Sequence, residues 1–454
     1  MKGRLAAALA GGTAIGAYEL YSRYRRPKPL KGSYPEAPKK VLVVGGGFGG
    51  LAVVEGLAKA LDGSREVGVA LLDRVNYTTF WPMVPAAISA DVEVHHAAHS
   101  IRRITRPLGV EFFEAEVRGV DFEAREVRSD VGTFSYDYLI LAPGSRTAFF
   151  GAPGAREHAI DLKGLRDALH VRHAIIDCLE EAERSKGEFE DGLLTFVFVG
   201  GGPTGVEGVA ESHDLIFDVL KEDYPNVDFG RVRLVLVNSE EHILKGLDPS
   251  LANAASRRLA SRKVEILNGV KAEEVRPEAA VLSDGRTIPT RTTVWAAGIE
   301  PPPLVRDLGV PKDSRGRILV DEFLRVEGRP GVYAVGDCIN LEVEGEQVPA
   351  LAQAAEQEGG VAALNLVADL RDNSPAPFRY RPLGQLVDLG AGGALVDILG
   401  VKFDGFLGAL VWKGVYFYEL GNNLNRARVL FDWLVDLFAR PDTSKVFEIE
   451  ARVK

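Results

Sequence analysis

Val41-Leu42-Val43-Val44-Gly45-Gly46-Gly47-Phe48-Gly49-Gly50 decides how this chain folds. The β-branched run reads as a short buried strand, and the glycines end it just before the helical pattern Leu51–Leu61 begins. Gly45, Gly47 and Gly50 stand at G-x-G-x-x-G spacing, with Phe48 and Gly49 inside the same turn. The three glycines do different things. The first permits the tight turn, the second lets backbone approach a pyrophosphate, and the third lets helix pack closely on strand. The helix start then offers free N–H groups and a positive dipole to the phosphates. A second strand, Val69–Leu72, ends at Asp73, where a carboxylate can accept hydrogen bonds from ribose hydroxyls.

The same order recurs about 155 residues later, as Thr195–Val199, then Gly200-Gly201-Gly202-Pro203-Thr204-Gly205, then the helical pattern Val206–Leu220. Gly200, Gly202 and Gly205 keep the register, with Pro203 and Thr204 between them. Here the following strand, Val232–Val237, ends at Asn238. An amide can bond a ribose hydroxyl but lacks the charge that repels a 2′-phosphate. No arginine follows closely, while Glu240 and Glu241 do, so NADH is the expected nucleotide with NADPH tolerated. Two dinucleotide cradles in one chain set an α/β fold class with two Rossmann-like domains.

Working outward, 454 residues suit two or three domains. With 46% apolar and 26% charged residues the chain reads as globular. A net charge of −10 argues against a nucleic-acid surface, which wants clustered Lys and Arg. Cys178 and Cys338 lack dithiol spacing, so a disulfide scaffold is excluded, and both read as buried thiols. At the start, Lys2 and Arg4 precede the weakly apolar run Leu5–Tyr21, and Arg23, Arg25, Arg26, Lys28 and Lys31 follow it. If that run spans a membrane, the excess of positive charge behind it leaves the catalytic body in the cytoplasm. An interfacial helix and a processed leader remain alternatives. Pro27, Pro29, Pro35 and Pro38 read as a linker into the first strand.

With both cradles placed, the chain resembles the two-dinucleotide-binding-domain flavoproteins, and among them the type II NADH dehydrogenases, single-subunit NADH:quinone oxidoreductases. The resemblance covers about residues 39–440. It implies FAD in the first cradle and NADH in the second, with hydride passing from nicotinamide to flavin and electrons onward to a quinone. Leu141-Ala142-Pro143-Gly144 and Trp295-Ala296-Ala297-Gly298 match the family's crossing segments, ending near FAD and NAD respectively. Asp337, in Val332–Asp337, matches its FAD-holding aspartate. Glu207 and Glu211 match a pair of acids on the NAD-domain helix, and their spacing places them on one face. Ala352-Gln353-Ala354-Ala355-Glu356-Gln357 looks like the segment beside the flavin ring and quinone pocket. Gln353 and Gln357 can bond a quinone carbonyl without bringing charge into an apolar pocket. Asp73, Asn238 and the long leader depart from the family pattern.

The resulting division is leader and linker 1–38, FAD-binding domain 39–160 and 311–400, NAD(P)H-binding domain 161–310, and a membrane-associating tail 401–454. The tail, with its aromatic-rich stretch Phe403–Phe438, sets Arg426 and Arg428 among aromatics and Arg440 just after them, as interfacial helices do. Asp432 and Asp436 weaken a simple immersion reading, and a homodimer interface stays open for this region. A peripheral place on the cytoplasmic face of the cell membrane follows. Glu211 is the candidate for proton relay during quinone reduction. No metal is expected, because His95, His96 and His99 lack a partner set of acids or cysteines. The rivals are a sulfide:quinone oxidoreductase, which needs cysteines beside the flavin, a soluble reductase of another acceptor, and a flavin-bound redox sensor.

Overall fold

Lys39–Val44 lies at the centre of a five-stranded parallel sheet, because its last four residues are apolar towards both faces. Only a strand covered by helices above and below can bury them all. The computed structural model describes residues 27–186, 188–390, 392–420, 423–435 and 441–445. The leader's apolar run Leu5–Tyr21, Asn422, Asp436, Phe438 and Arg440 lie outside these residues.

Within the described residues the chain divides into two compact units. The first comprises the chain up to Thr78, Ser100–Gly144 and Pro301–Arg381. Its sheet runs 332–334, 138–141, 39–44, 67–73, 111–114, with every neighbouring pair parallel. Helix Phe48–Leu61 follows the central strand and packs along Ala352–Leu370 through small residues. A Cβ on Gly56 would stand 2.7 Å from that of Ala363. Between the 111–114 and 138–141 strands an antiparallel meander, 117–121, 126–129 and 132–135, closes the unit. The proline-rich linker expected before the first strand is packed: Leu30 and Tyr34 are buried, and the Tyr34 hydroxyl donates to the Ser135 carbonyl at 2.5 Å.

The second unit repeats this plan. It comprises Thr79–His99, Ser145–Glu300 and the chain from Pro382. Its parallel sheet runs 159–161, 292–295, 195–199, 233–238, 264–268. Again the strand before the glycine turn is central, and again an antiparallel meander, 272–276, 279–282 and 287–289, precedes the returning strand. The fold class is therefore α/β with two Rossmann-like units. The helix read at Val206–Leu220 is α-helical over Pro203–Asp214 and continues as a π-helix to Leu220.

The boundaries differ from those read off the sequence. The first unit closes at Gly144 instead of 160, and the 382–400 stretch packs in the second unit. There Gly384–Asp388, Ala394–Ile398 and Val401–Phe403 form an antiparallel sheet. Helix Gly405–Glu419 seats on it, a fit that a Cβ on Gly408 would break by meeting the Ala394 carbonyl. Helix Asn423–Val435 follows. Among the described residues no helix is long and apolar enough to cross a membrane.

Candidate functional site

In the first cradle Gly45 has φ +104, and a Cβ there would be driven into the Ala142 carbonyl; a Cβ on Gly50 would strike the Gly45 carbonyl. A Cβ on Gly47 would meet nothing within 4 Å. The first and third glycines thus serve the turn itself, and the middle one leaves room for a ligand to touch backbone. Gly47 is also the N-cap of the helix that Phe48 begins, so the cap has no side chain, and no acid lies in the first turn. Such a helix start turns the positive end of its dipole towards an anion. Asp73 receives the Gly46 N–H at 2.6 Å on one oxygen and the Val75 N–H at 3.0 Å on the other. Burial raises its carboxyl despite these bonds. Gly144, with φ +67, likewise leaves open space beside its Cα.

Two other segments complete this unit's site. Asp337 follows Gly336, whose N–H donates to Glu358 at 2.6 Å. Glu358 is almost fully buried on helix Ala352–Leu370, and burial pushes its carboxyl up to about 7. Sequence reasoning missed it. The signal was available, since Glu358 falls on the same helix face as Ala354, Ala355 and Ala362. Ala352 and Gln353 open that helix and are half-buried. Gln357 is engaged at both ends of its amide: Nε2 donates to the Arg381 carbonyl at 2.9 Å, and Oε1 accepts from the Arg381 N–H at 3.0 Å.

The second cradle reproduces the first. Gly200 has φ +124 and its Cβ would strike the Ala296 carbonyl, while one on Gly205 would strike the Gly200 carbonyl. Gly202, again the N-cap, has nothing within 4 Å. Pro203 takes the first helical position, where its missing N–H costs nothing, and Thr204 beside it is exposed. Ala297 and Gly298 continue from the neighbouring strand Thr292–Trp295. Asn238 is only 3% exposed. Its Nδ2 donates to the Glu240 carbonyl at 3.0 Å and to Asn268 Oδ1 at 2.8 Å. The amide holds the turn that carries exposed Glu240, which pairs with Lys245 at 2.9 Å.

Helix Pro203–Asp214 buries every residue from Gly205 to Ser212, including both acids. Glu207 Oε1 accepts from the Asp388 N–H at 3.0 Å, and Glu211 Oε2 accepts from the Ser89 hydroxyl. Burial raises Glu207 well above the carboxylate range. Burial, then Asp388 and Asp91, does the same for Glu211. Asp388 itself is pushed up to about 6, first by burial, with Asp91 adding and Lys413 opposing. Lys413 lies 3.6 Å from Asp91. Burial thus favours the protonated form of Glu207, Glu211 and Asp388. Ser89, Asp91, Asp388 and Lys413 were missed because nothing local marks them; they converge from segments far apart in the chain.

His96 bonds Asp432, tying helix Asn423–Val435 to the 94–96 turn, while His95 is exposed. A different set, His213, Asp214 and Asp218, draws together, and the Arg262 guanidinium contacts both His213 and Asp214 there. Both cysteines are buried, and burial raises both thiols.

The sequence pattern of the pyridine nucleotide-disulphide oxidoreductases matches residues 39–359. A type II NADH:quinone oxidoreductase of Mycobacterium tuberculosis is 30% identical over 90% of this chain and 90% of its own. An internal alternative NAD(P)H-ubiquinone oxidoreductase of Arabidopsis thaliana mitochondria is 32% identical over 90% of this chain and 86% of its own. Among solved structures, NDH2 of Plasmodium falciparum in complex with NADH superposes with a TM-score of 0.80 at 20% identity, covering 90% of this chain and 100% of that one. The sulfide:quinone oxidoreductase of Aquifex aeolicus has a TM-score of 0.69 at 19% identity, covering 88% of this chain and 96% of that one. At such identities the structural likeness speaks for the fold.

Proposed function

Since the chain belongs to the pyridine nucleotide-disulphide oxidoreductase family, we propose that it oxidises NADH with bound FAD and reduces a quinone. One observation carries the reading: both cradles leave backbone open at the middle glycine and at an uncapped helix start, so each fits a dinucleotide pyrophosphate. FAD supplies the chemistry when bound, taking hydride from NADH and passing two electrons to the quinone.

The chain's residues hold and position. Gly45, Gly47, Phe48, Gly49 and Gly50 cradle the FAD pyrophosphate, with Asp73, Gly144 and Asp337 along the remainder of the cofactor. Gly200, Gly202, Pro203, Thr204 and Gly205 do so for NADH, with Ala297 and Gly298 flanking it. Asn238 acts on the nucleotide ribose by holding Glu240 in place, whose charge disfavours a 2′-phosphate. Gln353 bonds the quinone, and Gln357, through its bonds to Arg381, shapes the wall beside it. Glu211, backed by Glu207 and Asp388, holds the protons that quinone reduction consumes.

The quinone is lipid-soluble, so the acceptor side must reach a membrane. Phe406, at 69% exposure, with Leu407, Leu410, Leu430, Phe431 and Leu434, presents a run of large apolar side chains on the last two helices. Isolated exposed apolar residues are ordinary; a cluster of this kind marks an interaction surface. Arg428, exposed among them, suits lipid phosphates. We assign this surface to peripheral association with the cytoplasmic face of the cell membrane, with residues 5–21 as a further anchor, in preference to pairing with a second copy. A sulfide:quinone oxidoreductase would need accessible thiolates, and buried Cys178 and Cys338 do not offer them.

The test is steady-state oxidation of NADH by detergent-purified protein, with and without a short-chain quinone. Flavin bleaching by NADH and reoxidation by quinone are expected. Flavin that copurifies but is bleached by neither NADH nor NADPH would overturn the proposal.

A further inference from the structure

Among the described residues ten non-glycine residues have positive φ, and Phe150 is the aromatic one among them. Phe149–Ala152 is a tight turn closed by the Ala152 N–H donating to the Phe149 carbonyl at 3.0 Å. Both central residues have positive φ, Phe150 at +51 and Gly151 at +74. Such turns favour Asn, Asp or Gly at those places, and a bulky residue there is an outlier. Phe150 is moreover 73% exposed. An exposed, conformationally disfavoured aromatic is a hint of function when its surroundings are rigid and lie at a ligand site.

The surroundings are rigid. Arg146–Thr147 pairs antiparallel with Ile299–Glu300, and the Ala148 N–H donates to the Gly298 carbonyl at 3.0 Å. The Trp295 indole N–H donates to the Ala148 carbonyl at 2.9 Å, and the Phe149 ring packs on Trp295 at 5.7 Å between centroids. The turn is therefore bolted to the end of strand Thr292–Trp295. The Phe150 ring lies over Gly298, where a Cβ would stand 2.8 Å from Cζ.

The location names the ligand. Ligands of an open parallel sheet bind beyond the carboxyl ends of its strands. Here the phosphate turn 200–205 follows the central strand, Asn238 ends the neighbour on one side, and Gly298 follows the neighbour on the other. The Asn238 side takes the adenosine ribose, so the Gly298 side takes the other half of the dinucleotide.

We propose that Phe150 is an aromatic platform for the nicotinamide of the nucleotide, its exposed face packing on that ring and setting the affinity for it. This rests on the second cradle binding a nicotinamide dinucleotide. Stacking on an aromatic side chain is sensitive to its removal, and F150A should raise the KM for NADH about tenfold. Inhibition by ADP-ribose, which lacks nicotinamide, should stay within about twofold, as should flavin content and the KM for quinone. F150N suits the left-handed turn and removes the ring, so it keeps the fold and should weaken NADH as F150A does; F150W should restore the affinity. Wild-type KM for NADH in F150N, or equal weakening of NADH and ADP-ribose, would overturn the platform. Wild-type flavin that NADH cannot bleach would instead overturn the nucleotide reading on which it stands.

Discussion

The two cradles share sheet order, glycine geometry and the meander before the returning strand, yet their helices bury different things. Helix Phe48–Leu61 buries only apolar residues and glycine, and its tight seat on Ala352–Leu370 would not admit a larger residue at Gly56. Helix Pro203–Asp214 buries Glu207 and Glu211 within about one turn of each other. On the proposed reading the first scaffold holds a resident group, and the second lets a substrate come and go. The strand-end residues differ in the same spirit: Asp73 only accepts hydrogen bonds, while Asn238 donates two.

The largest effects should come from exchanging the open middle glycines. Both have negative φ and nothing within 4 Å of a Cβ, so a side chain there is conformationally acceptable and takes up space that a ligand would need. Gly47→Leu should copurify with little flavin, whereas Gly202→Leu should keep its flavin and bind NADH roughly a hundredfold more weakly. Equal flavin loss in both variants would erase the distinction between resident and visitor.

Next in size is Glu211→Gln. A positioned proton donor contributes on the order of a hundredfold or more, so turnover with quinone should fall by that order while rapid-mixing reduction of the flavin by NADH keeps its rate. A fall confined to the NADH half-reaction would move Glu211 out of the proton role.

Glu358 provides a test of stability. Its folded carboxyl, raised from 4.5 to about 7, binds a proton that the unfolded chain has already released between those values. Stability contributed by the protonated form is therefore full below about pH 4.5 and is lost as pH rises through about 7, by roughly 3 kcal/mol. Glu358→Gln should flatten that part of the urea-midpoint profile; an unchanged slope would show that the carboxyl does not titrate there. Asp388, raised to about 6, supplies a parallel contribution in the other unit, so the variant should flatten the profile without levelling it.

The smallest expected change is Asn238→Asp, which makes the second strand end like the first. It removes both donated bonds and should cost about 1–3 kcal/mol in thermal or urea unfolding. Stability equal to wild type would mean that those bonds do not hold the turn.

How much of this could be read in advance varies by element. The strand before each glycine turn, the turn and its helix were legible because their requirements are local: β-branched residues bury on a pleated sheet, and a backbone with positive φ wants glycine. The unit boundary near Arg381 was not, since Gly384–Asp388 has ordinary strand composition and long-range contacts, such as the Asp388 N–H donating to Glu207 and the Leu389 carbonyl accepting from Arg262, assign it to the second unit. Gln357 had the residue type and spacing for a quinone contact, but its amide is committed to Arg381, a partner that the sequence cannot reveal.

The amino-acid order alone determined that two dinucleotide cradles exist and where their open glycines stand, because each cradle's pattern is written within six consecutive residues whose conformational needs only glycine meets. Only the tertiary structure decided which carboxyls are buried, which amides are engaged, and that Phe150 faces Gly298. Burial and long-range hydrogen bonding depend on segments brought together from far along the chain, as when Ser89 reaches Glu211 and Asp388 reaches Glu207. Proton affinity follows from that environment, not from the identity of the residue.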